Sequence, residues 1–185
     1  MTPARHDDPN VLPGAVEPDT KDWTWVLGET CSECGFTATG VEPTEIGAVV
    51  RELAPRWVRA LNRREVRDRP RPSTWSVLEY GAHVRDVFRV MGVRLASMLA
   101  WDDPLLANWD QDAAALADRY DLQDPAIVAG QLTKAAGALA DAFDGVTPEQ
   151  WDRPGRRSNG SFFTVRTLGQ YMLHDVVHHL HDINA

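Results

Sequence analysis

Basic residues are in short supply: 19 lysines and arginines stand against 27 aspartates and glutamates, for a formal charge of -8 and a pI near 5.2. That balance leaves no net positive surface to set against a phosphate backbone, which excludes nucleic acid as the expected partner. Long apolar runs are also missing. Nothing approaches the ~20 residues that cross a bilayer, and Met1-Thr2-Pro3-Ala4-Arg5-His6 lacks the apolar stretch of a secretory signal. No membrane partner is expected, and the expected setting is the cytoplasm. Cysteine is confined to Cys31 and Cys34. Two thiols alone cannot fill a four-thiolate metal site.

What is present is ordinary for a globular chain: 185 residues, 43% hydrophobic and 25% charged, enough for one core-bearing domain and a tail. Residues 1–22 carry Pro3, Pro9, Pro13 and Pro18 with few large apolar groups, and read as an extended tail. Residues 1–40 are taken as an N-terminal extension and 41–185 as the folded domain. Within the extension, the aromatic Trp23-Thr24-Trp25 precedes Cys31-Ser32-Glu33-Cys34-Gly35. A Cys-x-x-Cys-Gly turn is half of a zinc site, to be completed by histidines or by a second subunit, and the same spacing serves dithiol redox enzymes. A pair of reduced or loosely oxidised thiols in an N-terminal hook is the plainer reading, and no strand precedes a helix here to depress a thiol pKa.

Helical periodicity begins after Val41. Ile46, Val49, Val50, Leu53, Trp57 and Leu61 predict a first helix over about 44–66, capped by Thr44 and kinked at Pro55. Its other face carries Arg51, Arg56, Arg59, Arg63, Arg64 and Arg67, either a solvated face or a patch for a carboxylate-bearing ligand. Ser76 and Glu79 form a capping box for a second helix to about Ala100, with Val77, Tyr80, Val84, Val87, Met91, Leu95 and Met98 as its seam. An aspartate-containing connection and an Ala-rich piece, Asp112 to Tyr120, follow. A third long helix starts at the cap Asp124 and Pro125, runs through Ile127, Val128, Leu132, Leu139 and Phe143, and stops at Asp144-Gly145. Arg153 to Gly160 reads as a polar loop, and a last helix starts near Thr164.

That last helix places four of the six histidines between His174 and His181. Val165, Leu168, Met172, Val176, Leu180 and Ile183 make its apolar stripe, while His174, His178 and His181 fall on roughly the opposite side. Such a face is either solvated or turned into a cleft as ligands. His174 and His178, one turn apart, can reach one ion, as can His178 and His181; the earlier pair is the better placed. A catalytic site usually needs three protein ligands, and His83 on the second helix is the natural third, with His6 in the tail and His179 pointing elsewhere. His174-Asp175-Val176-Val177-His178 has the outline of a zinc-protease helix, but aspartate replaces the glutamate base and too little chain follows for the third ligand.

Trp75-Ser76-Val77-Leu78-Glu79-Tyr80-Gly81-Ala82-His83-Val84-Arg85-Asp86, the aspartate-rich connection and His174-x-x-x-His178, taken in this order, resemble the DinB-like superfamily over residues 41–185. That superfamily includes the metal-binding domain of mycothiol-dependent maleylpyruvate isomerases. The resemblance implies an all-α fold, a DinB-like four-helix bundle carrying an extended N-terminal segment. It also implies a divalent metal, zinc or nickel, held by His83, His174 and His178, and used to activate a low-molecular-weight thiol. The Cys31-x-x-Cys34 extension lies outside that pattern, as does the absence of a C-terminal domain of the isomerase type. Arg166, with Arg156 and Arg157, is a candidate for holding an anionic cofactor or substrate.

The function expected is a metal-dependent thiol transferase of mycothiol type acting on a small molecule. The alternatives are a non-catalytic metal-binding stress or interaction module, and a metal-dependent hydrolase using Asp110 or Asp86 as base. A second copy of the chain, in a homodimer, is the other partner considered.

Overall fold

The computed structural model describes Val16 and residues 21–185. The expected tail over 1–22, apart from Val16, Lys21 and Asp22, lies outside the described residues, and so does His6.

The main helices are α1 (Ile46–Leu61), α2 (Val77–Ala100), α4 (Pro125–Asp144) and α5 (Val165–Asp182), with a short α3 (Gln111–Ala117) between α2 and α4. Each begins where its sequence supplies a cap or a turn. Ser76 and Glu79 close the capping box of α2, and Asp124 Oδ1 accepts from the amides of Ala126 (2.8 Å) and Ile127 (3.1 Å) at the start of α4. Thr164 and Thr167 exchange the same pair of bonds at the start of α5. Thr44 does not cap α1; a single turn, Pro43–Glu45, leads into it instead. Helix α1 is unbroken across Pro55, whose ring is exposed, and it ends at Leu61 rather than near 66. The chain leaves the helix there because Val66 turns inward and its carbonyl accepts from Leu78 N (2.8 Å), tying the linker to the start of α2.

Helices α1, α2, α4 and α5 form a four-helix bundle in which neighbours in space are not neighbours in sequence. Helix α4 packs on α1 and α2, and α5 packs on the same two, so that α1 faces α2 across one diagonal and α4 faces α5 across the other. The stripe of α5 is buried as its periodicity requires, and so is the seam of α2 from Val84 onward, with Val77 and Tyr80 half-buried at its start. Ile127 is the exception on α4, 60% exposed while Val128 beside it is buried. The bundle is tight enough that a Cβ on Gly169 of α5 would lie 2.6 Å from Ile46 Cδ1 and 3.0 Å from the Phe143 ring.

The polar stretch after Arg153 is not a loop. Residues Pro154–Arg157 (β2) and Phe162–Thr164 (β3) form an antiparallel hairpin, and β2 pairs in parallel with Leu105–Leu106 (β1). Its turn uses Gly160 at φ +92. At Arg51, Arg56 and Arg63 the arginine run of α1 is neither bare nor a ligand patch. Arg51 bridges Asp141 and Asp144 of α4, Arg56 donates to Ala185 O, and Arg63 donates to Ile183 O (2.5 Å) and Asn184 O (2.9 Å). These arginines tether α4 and satisfy carbonyls at the C-terminal end of α5. Among the described residues, no helix is long and apolar enough to cross a membrane.

Residues 23–40 wrap over α5 as two short turns, Thr24–Leu27 and Ala38–Gly40, with the Cys-x-x-Cys loop between them. They cover the face of α5 opposite its apolar stripe.

Candidate metal centre

Helix α5 offers two i,i+4 pairs displaced by one residue: His174 with His178, and Asp175 with His179. A displacement of one residue is a rotation of ~100°, so the two pairs look toward different neighbours. One pair faces the N-terminal hook. The other faces α2.

Toward the hook, Cys31, Cys34, His174 and His178 bring one ligand atom each to within 4.8 Å of one another. Cys31 Sγ lies 3.7 Å from His178 Nδ1. The loop is shaped for this: Cys31 N donates to Phe36 O (2.9 Å), Gly35 N donates to Cys31 O (2.8 Å), and Gly35 takes φ +75. Both thiols are free. Trp23 lies over both imidazoles, with ring centroids 5.4 Å from His174 and 4.8 Å from His178. His174 and His178 are therefore buried, and the Nε2 of His174 has no hydrogen-bond partner. On its other side His178 Nε2 looks at Glu33 (3.6 Å) and Asp182 (3.8 Å). Burial lowers the His174 imidazole to about 4 and holds His178 below its ordinary value, so both are neutral at neutral pH. Burial also pushes the Cys34 thiol up to about 11.

Toward α2, His83, Asp175 and His179 form a second set, again with ligand atoms within 4.8 Å of one another. Asp175 Oδ1 is 3.6 Å from His83 Nε2 and 2.9 Å from His179 Nε2. His179 Nδ1 is 2.9 Å from Asp182 Oδ2. Burial opposes charge on His179, yet Asp175 and Asp182 carry it up to about 9, and the partners hold the Asp175 carboxyl well below the usual range. His83 is fully buried, stacked on Trp109 at 5.4 Å and against Trp75 at 5.3 Å, and neither of its ring nitrogens has a hydrogen-bond partner. A buried imidazole whose Nδ1 has no partner and whose Nε2 has only Asp175 at 3.6 Å is costly unless something binds it. The donor set of two imidazoles and one carboxylate suits a divalent transition-metal ion and leaves coordination positions open.

The three histidines picked out from the sequence thus do not converge. His83 stands with Asp175 and His179, while His174 and His178 stand with the two cysteines. His179, expected to point away, faces Tyr80 and His83, at centroid distances of 4.8 and 5.0 Å. The signal that could have found it is the spacing of Asp175, His179 and Asp182 on one side of the helix. His181 is exposed. Asp86, one of the two candidate bases, is held by Arg85, Arg89 and the Tyr120 hydroxyl.

A cleft of about 510 Å³ opens over both sets, reaching His174, Asp175, His178, His179 and Asp182 on α5 and walled by Trp23, Trp75, Tyr80 and Trp109, with His83 buried beneath its lining. Asp110 lies on its rim, but its Oδ1 accepts from Asp112 N and Ala113 N as the cap of α3. Of the three arginines considered for an anion, Arg156 pairs with Asp103 and Arg166 with Asp152 outside the cleft, while Arg157 lines it. Arg157 donates to Asn108 Oδ1 (3.4 Å), and its Nε is buried with no hydrogen-bond partner.

A four-helix bundle with crossed connectivity, carrying potential metal ligands on its last helix and on the helix beside it, defines the class. The chain belongs to the DinB superfamily, whose pattern its residues 48–183 match. Among solved structures it is similar to YfiT from Bacillus subtilis, described as a probable metal-dependent hydrolase with an unusual four-helix bundle topology. The identity is 19%, the TM-score 0.68, and the match covers 75% of this chain and 82% of that one, a likeness of fold. None of the curated proteins matches the chain.

Proposed function

We propose that the protein is a divalent-metal-dependent enzyme whose reaction centre is His83, Asp175 and His179, and that it transfers a low-molecular-weight thiol, of mycothiol type, to a small molecule. The observation that carries this reading is His83: buried, without a hydrogen-bond partner on either nitrogen, and set against Asp175 and His179 under a cleft. Zinc or nickel bound there supplies a Lewis acid that depresses the pKa of a thiol near neutral pH. The chain does the rest. Asp182 fixes the ring orientation of His179 through Nδ1 and leaves Nε2 for the centre. Trp75 and Trp109 enclose His83 and keep water from its ring. Arg157, rather than Arg166, offers a cation to an anionic end of the ligand.

A cleft of about 510 Å³ is of substrate size, which supports an enzyme over a purely structural metal protein. Thiol transfer is preferred to the hydrolysis ascribed to YfiT because both candidate bases are engaged, Asp110 in capping α3 and Asp86 in its arginine and tyrosine bonds. A thiol activated by the ion needs no such base.

Metal-free protein reloaded with Zn²⁺ or Ni²⁺ is assayed for thiol transfer to a chromogenic aryl halide and, in parallel, for aryl-ester hydrolysis. Thiol consumption that requires the ion and disappears in His83→Ala and His179→Ala is expected. Ion-dependent ester hydrolysis with no thiol consumption would shift the assignment to a hydrolase, and tight ion binding with neither activity would overturn catalysis.

A further inference from the structure

We infer that Cys31, Cys34, His174 and His178 form a second metal site, a closed tetrahedral zinc centre that fastens the N-terminal hook to α5. It is independent of the reaction centre proposed above and shares none of its ligands.

The four donors meet from two directions that chain connectivity alone would not join: the hook supplies both sulfurs and α5 both nitrogens. The separation fits. With Zn–S near 2.3 Å and Zn–N near 2.0–2.1 Å, a tetrahedral S···N edge is about 3.6 Å, and Cys31 Sγ lies 3.7 Å from His178 Nδ1. Without an ion the same contact is a thiol–imidazole hydrogen bond. His174 supplies a second, independent sign: its Nε2 is buried with no partner, on a residue only 3% exposed.

His178 is oriented as a metal ligand is, with Nδ1 toward the thiols and Nε2 toward the carboxylates of Glu33 and Asp182. Metal-bound imidazoles commonly hold their second nitrogen against a carboxylate in this way. The turn is prepared too. Gly35 at φ +75 reverses the chain just after Cys34, and the hydrogen bond from its amide to Cys31 O keeps both sulfurs on one side.

Charge balance accounts for the burial. Two thiolates cancel a dication, and two neutral imidazoles add nothing, so the loaded site is electrically neutral where either thiolate alone would be expensive. Four protein ligands leave no position for water or substrate, which makes the site structural. Its consequence for the cleft is positional: Trp23, which lies over both histidine ligands, is also a cleft wall.

The test uses the full chain loaded with Co²⁺ or Zn²⁺ under reducing conditions. Wild type is expected to show a thiolate-to-cobalt charge-transfer band with the intense visible bands of tetrahedral Co²⁺, and to bind two zinc ions per chain. His83→Ala should keep the charge-transfer band while losing one zinc. Cys31→Ser with Cys34→Ser should lose the band and the other zinc. Wild-type protein that takes up cobalt with no thiolate band, or a double-serine variant with unchanged zinc content, would overturn the second site without touching the first. Should the serine variant fail to fold, the wild-type cobalt spectrum decides the matter alone. A charge-transfer band beside an unchanged zinc content in His83→Ala would leave this site standing and remove the other.

Discussion

His178 and His179 are consecutive residues whose rings stand 6.0 Å apart at 77°, and they serve different clusters. His178 faces the thiols of Cys31 and Cys34, and His179 faces Asp175 and His83. A single peptide step on α5 separates two chemistries, and Asp182 touches both, 2.9 Å from His179 Nδ1 and 3.8 Å from His178 Nε2.

Asp182→Asn should weaken ion binding without unfolding the bundle. The carboxylate holds the second nitrogen of His179, and loss of such a partner costs roughly 10–100-fold in metal affinity. Competition against a chromophoric chelator measures it. Affinity unchanged within a factor of about two would mean that Asp182 orients nothing.

Arg63→Ala should loosen the same end of the helix from a distance. Arg63 donates to the carbonyls of Ile183 and Asn184, and each net hydrogen bond is worth about 0.5–1.5 kcal/mol. Faster hydrogen exchange at the amides of residues 179–183, with α1 itself unchanged, is the expected signature.

Gly169→Ala should destabilise the bundle. The added methyl would meet Ile46 Cδ1 at 2.6 Å and the Phe143 ring at 3.0 Å, and overpacking of this kind costs about 1–3 kcal/mol. Each kcal/mol lowers Tm by roughly 2–4 °C at this size. A melting temperature equal to wild type would show that the crossing can open at no cost.

Glu79→Gln should flatten the acid side of the stability profile. Burial of the Glu79 carboxylate raises its pKa, but bonds from Arg69 and from the amide and hydroxyl of Ser76 outweigh this and leave it below the ordinary value of a glutamate. A depressed folded pKa contributes stability above the unfolded pKa, and that contribution is lost as pH falls through the folded pKa. Wild type should therefore lose stability below about pH 4.5, where carboxylates begin to protonate, while the variant starts lower, by roughly 1.5–3 kcal/mol at neutral pH, and falls less. Parallel profiles for the two proteins would refute the assignment.

Much of this was legible in the residues. Helix α2 could be bounded from its capping box and seam, because both signals are local. The apolar stripe of α5 was equally plain. What a wheel cannot supply is the identity of the neighbour at each angle: the ~100° step between His178 and His179 is visible, but that α2 lies on one side and the cysteine hook on the other depends on the crossed packing. The arginine run of α1 misled for the same reason, since its partners Ile183 and Asn184 come from the far end of the chain. The hairpin was missed because β2 is Pro-Gly-Arg-Arg, a composition that reads as a turn until Gly155 is seen pressed against Met98, where a Cβ would come within 2.8 Å of Cγ.

The crossed bundle also governs how the chain must find its shape. Of the four seams of the bundle, only that of α2 with α4 joins successive long helices; α1 with α4 and α2 with α5 each pass over one intervening long helix, and α1 with α5 passes over two. Such a bundle cannot close by zipping one hairpin after another, and its loop-closure entropy is spent before most contacts repay it. Refolding should accordingly be slow for so helical a molecule, nearer to mixed α/β domains than to up-and-down bundles.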